Sequence, residues 1–235
     1  MAGRYSHGKP TRLVNTDSRP VQSSQQGCHE QLPKLVQRHL DKPSQRPAAD
    51  HTMAAFRQAQ SQVDCAGRPV ILDAFCGTGM STAHLARAHP DHTVIGIDKS
   101  AHRLSKHVHT GYKNYCLVQA DCGDFWRLAA AAGWQVAQQW LLYPNPWPKP
   151  GQLQRRVHGS ADFPALLALG GALELRSNWR VYIDEFASAL SIAGHIPEIS
   201  PAKDEAALTL HERKYRDSGH SLWRCTCRLS DNTQP

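Results

Sequence analysis

Three apolar runs that each carry an acid at or near their end constrain this chain more than any other feature. PVILDAF carries Asp73 just before the turn CGTG, HTVIGID ends in Asp98 25 residues later, and YCLVQAD ends in Asp121 after 23 more. A fourth run, WLLYPN, ends at Asn145. Helix-like segments separate the runs, and strand alternating with helix predicts a doubly wound α/β fold, a parallel sheet with helices on both faces. Such sheets bind ligands at the C-terminal edge of their strands, so one crevice can collect Asp73, Asp98, Asp121 and Asn145. GGALELRSNW reads as a fifth strand entering a helix, with Ser177 or Asn178 as its N-cap. HSLWRCTCRL alternates like a late strand, and residues 195–220 give no clear element.

The αβ texture starts at Val70, which sets a domain over residues 70–230. Ahead of it, Leu32, Leu35, Val36 and Leu40 form one apolar stripe of a short helix, KPSQRP breaks it, and a second helix is expected over about 48–62. Residues 28–69 are therefore read as a helical extension. Residues 1–27 are polar, with few apolar side chains, and are expected to be a disordered tail. Residues 1–69 hold 10 Lys/Arg against 5 Asp/Glu, net +5, and residues 70–235 hold 17 against 15, net +2. The excess therefore sits ahead of the domain, and a basic arm suits nucleic acid as well as it suits a solvated tail.

No run approaches eighteen apolar residues, which predicts no membrane span, and MAGRYSHGKPTRLV lacks the apolar region of a signal peptide. A cytoplasmic protein is expected. The seven cysteines include no CxxC, so all are read as reduced thiols with no metal site. Cys225 and Cys227, two apart in a strand, should share a face.

The turn after the first run has glycines at 77 and 79, which lets a ligand approach the backbone. A dinucleotide fingerprint would need a third glycine, so an adenosine cofactor without pyrophosphate fits better. Asp98 can accept from both hydroxyls of a ribose, and Asp121 from an adenine amine. Any one of these acids could instead cap a helix or sit in a solvated loop. All three with the glycine turn favour S-adenosyl-L-methionine. In YPNPWPKPGQLQRR, Pro144 and Pro146 bracket Asn145 and stiffen the chain at the strand end. Trp147 can wall a pocket or stack on a base, and Lys149, Arg155 and Arg156 follow where phosphates would run. The competing reading is a rigid polyproline turn around a packed Trp.

These stretches together resemble a class I methyltransferase, and more narrowly the bacterial tRNA (guanine-N7)-methyltransferase family, TrmB. YPNPWPKPGQLQRR resembles that family's FPDPWxKxxHxKRR segment, GGALELRSNWRVYIDEF its GGxxxxxTDWxxYxxxM segment, and TLHERKYRDSGHSLW its TxxE motif and the strand that follows. The match covers about residues 70–230 and leaves the first 60-odd residues without a counterpart. The resemblance implies a seven-stranded Rossmann-like sheet and S-adenosyl-L-methionine held by Asp73, Phe75, Cys76, Gly77, Gly79, Asp98, Lys99, Asp121, Cys122 and Asn145. It implies Asn145 and Asn178 as the catalytic pair that orients the acceptor base. It further implies Trp147, Lys149, Arg155, Arg156, Asn178, Thr209 and Glu212 as contacts to a tRNA substrate. Cys76 is read as a packing residue, because a sulfonium methyl donor needs no covalent enzyme intermediate. Thr209 and Glu212 could equally be helix surface. Arg213, Lys214 and Arg216 could touch phosphate or form a solvated charge run. His102, His107 and His109 could lie near the adenosine or at the surface.

The chain departs from the family pattern at four places. Asn145 and Asn178 stand where the family has Asp, Asp73 where it usually has Glu, and Phe75 where it has Gly. Guanine N7 attacks with an in-plane lone pair and needs no base, but a carboxylate nearby should stabilise the cationic ring that forms. DAFCGTG also resembles the DPFCGSG turn of methyltransferases acting on exocyclic amines, although Asn145-Pro146-Trp147-Pro148 lacks their second consecutive proline. A methyltransferase of an exocyclic amine or small molecule, and a non-catalytic RNA-binding protein of the same fold, are the alternatives. Monomer and homodimer are both compatible with the sequence.

Overall fold

The computed structural model describes residues 18–203 and 206–229. Seven strands form one sheet: β1 Val70–Ala74, β2 Thr93–Asp98, β3 Tyr115–Gln119, β4 Gln138–Leu142, β5 Gly171–Ser177, β6 Glu198–Pro201 and β7 Trp223–Leu229, in the order β3-β2-β1-β4-β5-β7-β6. The first five strands are parallel neighbours, while β7 runs antiparallel between β5 and β6. The sheet is mixed, with its mostly parallel part where the sequence placed it. β6 falls inside the stretch 195–220 that gave no signal, because a four-residue strand with no buried residue has no apolar run to read.

The helices are α1 Leu32–Asp41, α2 Asp50–Ala66, α3 Met80–Ala88, α4 Ala101–Leu104, α5 Cys122–Ala131, α6 Phe163–Ala168, α7 Arg180–Ile192 and α8 Leu210–Asp217. Successive β1 side chains feed opposite faces. Val70, Leu72 and Ala74 join the main core with residues of α1, α2, α5, α6 and α7, and Ile71 packs with Leu85 and Ala86 of α3 on the other face. The helical extension is docked rather than free. Leu32 and Val36 of α1 are fully buried, and Phe56 of α2 meets Phe125 edge-on at 5.4 Å and Trp134 at 5.3 Å.

The tail expected over residues 1–27 lies outside the described residues up to 17. Residues 18–27 are held by specific bonds. Ser23 Oγ donates to Pro148 O at 2.5 Å, Gln25 Nε2 donates to Glu185 Oε1 at 2.5 Å, and Ser18 N donates to Ser218 Oγ at 3.1 Å. At the end of β5 the expected cap is corrected. The N-cap of α7 is Trp179, and Ser177 Oγ, two residues upstream, accepts from its N–H. Cys225 and Cys227 do point the same way, both into the core, and the seven cysteines are free thiols. No helix among the described residues is long and apolar enough to cross a membrane.

Candidate active site

The C-terminal ends of β1, β2, β3 and β4 open onto a cavity of about 540 Å³, in the range of small-molecule sites. Its floor is the glycine turn. Asp73, the fourth residue of β1, points toward α3 and takes hydrogen bonds from Ser81 Oγ and Thr82 Oγ1 of the first helical turn, each at 2.6 Å. This ties the strand end to the helix start and fixes the turn between them. Burial pushes the Asp73 carboxyl up to about 6, against the pull of the two hydroxyls and with some help from Asp98. Asp73 is fully buried and forms no part of the cavity wall. It shapes the turn from behind.

Three of the turn residues use positive φ: Phe75 at 62°, Gly77 at 61° and Gly79 at 75°. Gly77 lines the cavity, and a Cβ there would meet no atom within 4 Å, so its missing side chain leaves open space for a ligand. Gly79 caps α3 and is not in the wall. A Cβ on it would sit 2.6 Å from Leu117 and 2.8 Å from His107, so its smallness serves packing. Phe75 holds a left-handed backbone that favours glycine. Its ring is braced edge-on against Trp126 at 5.9 Å, and both rings line the cavity. Cys76 and Cys122 line it too, with their thiols pushed up by burial and therefore protonated.

Asp98 at the end of β2 is 2% exposed and binds backbone on both sides, accepting from Gly77 N at 3.0 Å and Ser100 N at 2.8 Å. Arg103 of α4 pairs with it at 3.3 Å. Asp121 caps α5, accepting from Gly123 N and Asp124 N through Oδ1, which leaves Oδ2 for a ligand. Asp98, Lys99 and Asp121 all line the cavity. Asn145 and Trp147 line its other side. Asn145 is exposed, its Oδ1 takes the Trp147 N–H at 3.3 Å, and Trp147 bends through φ 46°. The guanidinium of Arg155 lies 4.9 Å over the Trp147 ring at the rim.

The structure does not bring every expected contact to the cavity. Arg156 is corrected from a phosphate ligand to a buried brace. It is fully buried, pairs with Glu185, and donates to Trp147 O through Nε at 3.1 Å and through a terminal nitrogen at 3.0 Å. Glu185 also takes His158 Nε2 at 2.9 Å and His29 N at 2.9 Å. Burial alone would raise its carboxyl, but the hydrogen bonds and charges around it bring it to about 2. His158 is pushed low by burial despite this partner and stays neutral. Glu212 is likewise a brace. It is fully buried and takes Arg176 at 3.0 Å, Arg216 at 2.9 Å and Leu208 N at 3.0 Å. Thr209 accepts the Glu212 N–H at 3.0 Å as the cap of α8, and it does line the cavity, beside Leu210 and His211. Lys149 is exposed and Asn178 half-buried, and neither lines the cavity.

The sequence reading missed several wall residues: Arg103, Met80, Tyr143, Tyr182, Ser160, Asp162 and Arg46. Arg103 was the most accessible of these, because it lies on α4, the helix that directly follows Asp98. Arg46 comes from the segment between α1 and α2, where no local pattern ties a residue to a site so far downstream. No cluster of three or more His, Cys, Asp or Glu that could hold a metal is present among the described residues.

A seven-stranded sheet with β7 antiparallel, a glycine turn after β1 and acids after β2 and β3 defines a class I methyltransferase fold. Residues 67–225 match the family described as "Putative methyltransferase", and the chain belongs to that family. Among curated proteins it is similar to a tRNA (guanine-N(7)-)-methyltransferase of Pseudoalteromonas atlantica, 25% identical over 170 residues that cover 66% of this chain and 70% of that protein. The namesake of Nocardioides sp. is 31% identical over 131 residues, 52% of each. Among solved structures, the 16S rRNA methyltransferase KamB covers 79% of this chain and 95% of its own at 21% identity and TM-score 0.53. The 16S rRNA (adenine(1408)-N(1))-methyltransferase of Catenulisporales acidiphilia, solved with its cosubstrate SAM, gives 20% identity and TM-score 0.52 over 75% and 93%. These structural likenesses speak to the fold alone.

Proposed function

We propose that this methyltransferase transfers a methyl group from S-adenosyl-L-methionine to N7 of a guanine in tRNA, in the cytoplasm. The observation that carries the reading is one cavity edged by the glycine turn and Asp98 and Asp121 on one side and by the Pro144–Trp147 loop on the other. The donor fits the residues present. The open face of Gly77 admits its backbone-hugging part, Asp98 and the free Oδ2 of Asp121 suit its ribose and adenine, and the uncapped first turn of α3 suits its carboxylate. When bound, it supplies an electrophilic methyl on a sulfonium.

The chain's own task is alignment. Asn145 and Trp147 would hold the acceptor ring so that its lone pair faces the methyl in line. Asn145 offers an acceptor oxygen without charge, and that oxygen is partly occupied by the Trp147 N–H. Arg155 stands at the rim where a phosphate would run, and tRNA is the acceptor that the names of the relatives support.

The test is incubation of the full chain with labelled donor and unmodified bulk tRNA, followed by mass spectrometry of the nucleosides. 7-Methylguanosine supports the reading, and a methylated exocyclic amine moves it to the alternative. Asn145→Asp keeps the turn bond, since a carboxylate oxygen accepts the same N–H, and adds charge beside the ring. It is expected to raise 7-methylguanosine formation by up to about a hundredfold. A fall in activity would count against guanine N7 as the acceptor.

A further inference from the structure

We propose that Arg46, carried to the cavity by the helical extension, binds the adenosine half of the methyl donor through its guanidinium, so that the extension forms one wall of the donor site. The inference rests on the donor reading above and deepens it.

Arg46 reaches the cavity because the chain between α1 and α2 is tied down on both sides of it. Ser44 N donates to Ala161 O at 3.1 Å, and Ala49 N donates to Asp124 Oδ2 at 3.0 Å. Arg127 of α5 donates to the Arg46 carbonyl. Near the start of α2, the fully buried Thr52 accepts the Asp121 N–H through Oγ1 at 3.3 Å. Residues 44–52 are therefore fastened to the first turns of α5, the helix that Asp121 caps.

The Arg46 side chain is held as well as its backbone. A terminal nitrogen pairs with Asp124 Oδ1 at 2.6 Å, and Asp124 is buried. Arg127 and the Ala49 N–H already hold that carboxylate, so Arg46 is surplus to the task of neutralising it. The Arg46 side chain is 62% exposed, lines the cavity, and makes no other hydrogen bond among the described residues. It is a cation fixed in place with most of its donors unused.

A guanidinium offers a flat charged face and N–H groups in its plane. Asp121, Cys122, Gly123 and Trp126 of the α5 end line the same cavity. Adenosine suits that set, because its neutral ring presents a π face to a cation and its ring nitrogens and ribose oxygens accept N–H. The other half of the donor suits it less. The sulfonium is itself a cation, and the carboxylate has its place at the first turn of α3, after β1, whereas Arg46 is anchored on α5, after β3. Residue 46 precedes the family-matched region, which begins at residue 67, so this contact comes from outside the part of the chain that the family shares.

The experiment is calorimetry on the full-length chain with S-adenosyl-L-methionine, S-adenosyl-L-homocysteine and 5′-methylthioadenosine, the last of which lacks the amino acid. Arg46→Ala is expected to weaken all three by a similar factor, about five- to thirtyfold. Arg46→Lys keeps a cation for Asp124 but not the flat guanidinium. It should melt with the wild type and recover only part of the donor affinity. Binding of tRNA without donor should stay within about twofold in both variants. Full recovery of affinity in Arg46→Lys would reduce Arg46 to a brace and overturn the proposal. A loss confined to the two ligands that carry the amino acid would also overturn it. So would unchanged donor affinity in Arg46→Ala, whether or not tRNA binding falls. A wild-type chain that binds none of the three ligands would overturn the donor reading itself, and this proposal with it.

Discussion

At the scale of single residues, two acids that look alike in sequence do different work. Asp98 faces the cavity and organises it, holding Gly77 N–H and Ser100 N–H while pairing with Arg103. Asp98→Ala removes the anchor of the turn and the carboxylate proposed to hold the ribose. It is expected to weaken donor binding by about a hundredfold or more, and calorimetry giving unchanged affinity would remove Asp98 from the site. Asp73 is buried behind the turn with its carboxyl raised to about 6. The folded state therefore holds this proton more tightly than the unfolded chain, and its contribution to stability falls as pH rises from about 3.8 to about 6. Asp73→Asn keeps an acceptor for Ser81 and Thr82 and cannot ionise. Its melting temperature relative to wild type is expected to be higher at about pH 8 than at about pH 4.5. The opposite order would mean that the Asp73 charge is stabilised by its setting.

At the scale of elements, the loop after β4 is stiffened twice. Its prolines fix local φ, and buried Arg156 grips the Trp147 carbonyl while Glu185 of α7 holds Arg156. Glu185 also gathers His29 N and Gln25 from the N-terminal segment, so one buried carboxylate joins the loop, α7 and that segment. Removing one partner of a buried pair leaves the other charge stranded. Glu185→Gln is expected to cost about 3–5 kcal/mol in urea unfolding. Because the Glu185 carboxyl is held down near 2, its contribution is complete above about 4.5 and drains away as pH falls toward 2. Acid unfolding of the variant should therefore be less steep over that window. A variant with wild-type stability would show that the loop is held by its prolines alone.

At the scale of the whole molecule, the question is which cations would meet the tRNA proposed as acceptor. The chain carries a formal charge of +7, and the cavity wall includes Arg46, Lys99, Arg103 and Arg155 beside Asp98, Asp121 and Asp162. Arg155 lies at the rim on Trp147, whereas Arg156, its neighbour in sequence, is fully buried. Arg155→Ala is expected to weaken tRNA binding and to reduce the slope of log affinity against log salt by about one. Salt titration of binding checks it, and an unchanged slope would place Arg155 away from phosphate.

Much of this was legible in the chain because local chemistry decided it. Period-two and continuous apolar runs set β1 to β5 and β7, and polar residues at the strand ends marked the edge where a parallel sheet gathers ligands. The glycines at 77 and 79 announced a turn with unusual backbone angles. Other features depended on which distant segments meet, and no spacing encodes that. Two adjacent arginines divide into one rim cation and one buried brace because Glu185, 29 residues on, faces only one of them. The two glycines divide into one open to a ligand and one packed under Leu117 and His107. Asn178 meets His220, and His220 meets Ser18, because β7 lies beside β5 and brings the chain that precedes it to that strand end. The sequence by itself determined the parallel part of the sheet, the edge where its polar residues gather, and the family. The tertiary structure alone decided which of the polar residues at that edge face the cavity and which are buried braces, because burial and pairing are properties of contacts between segments far apart in the chain.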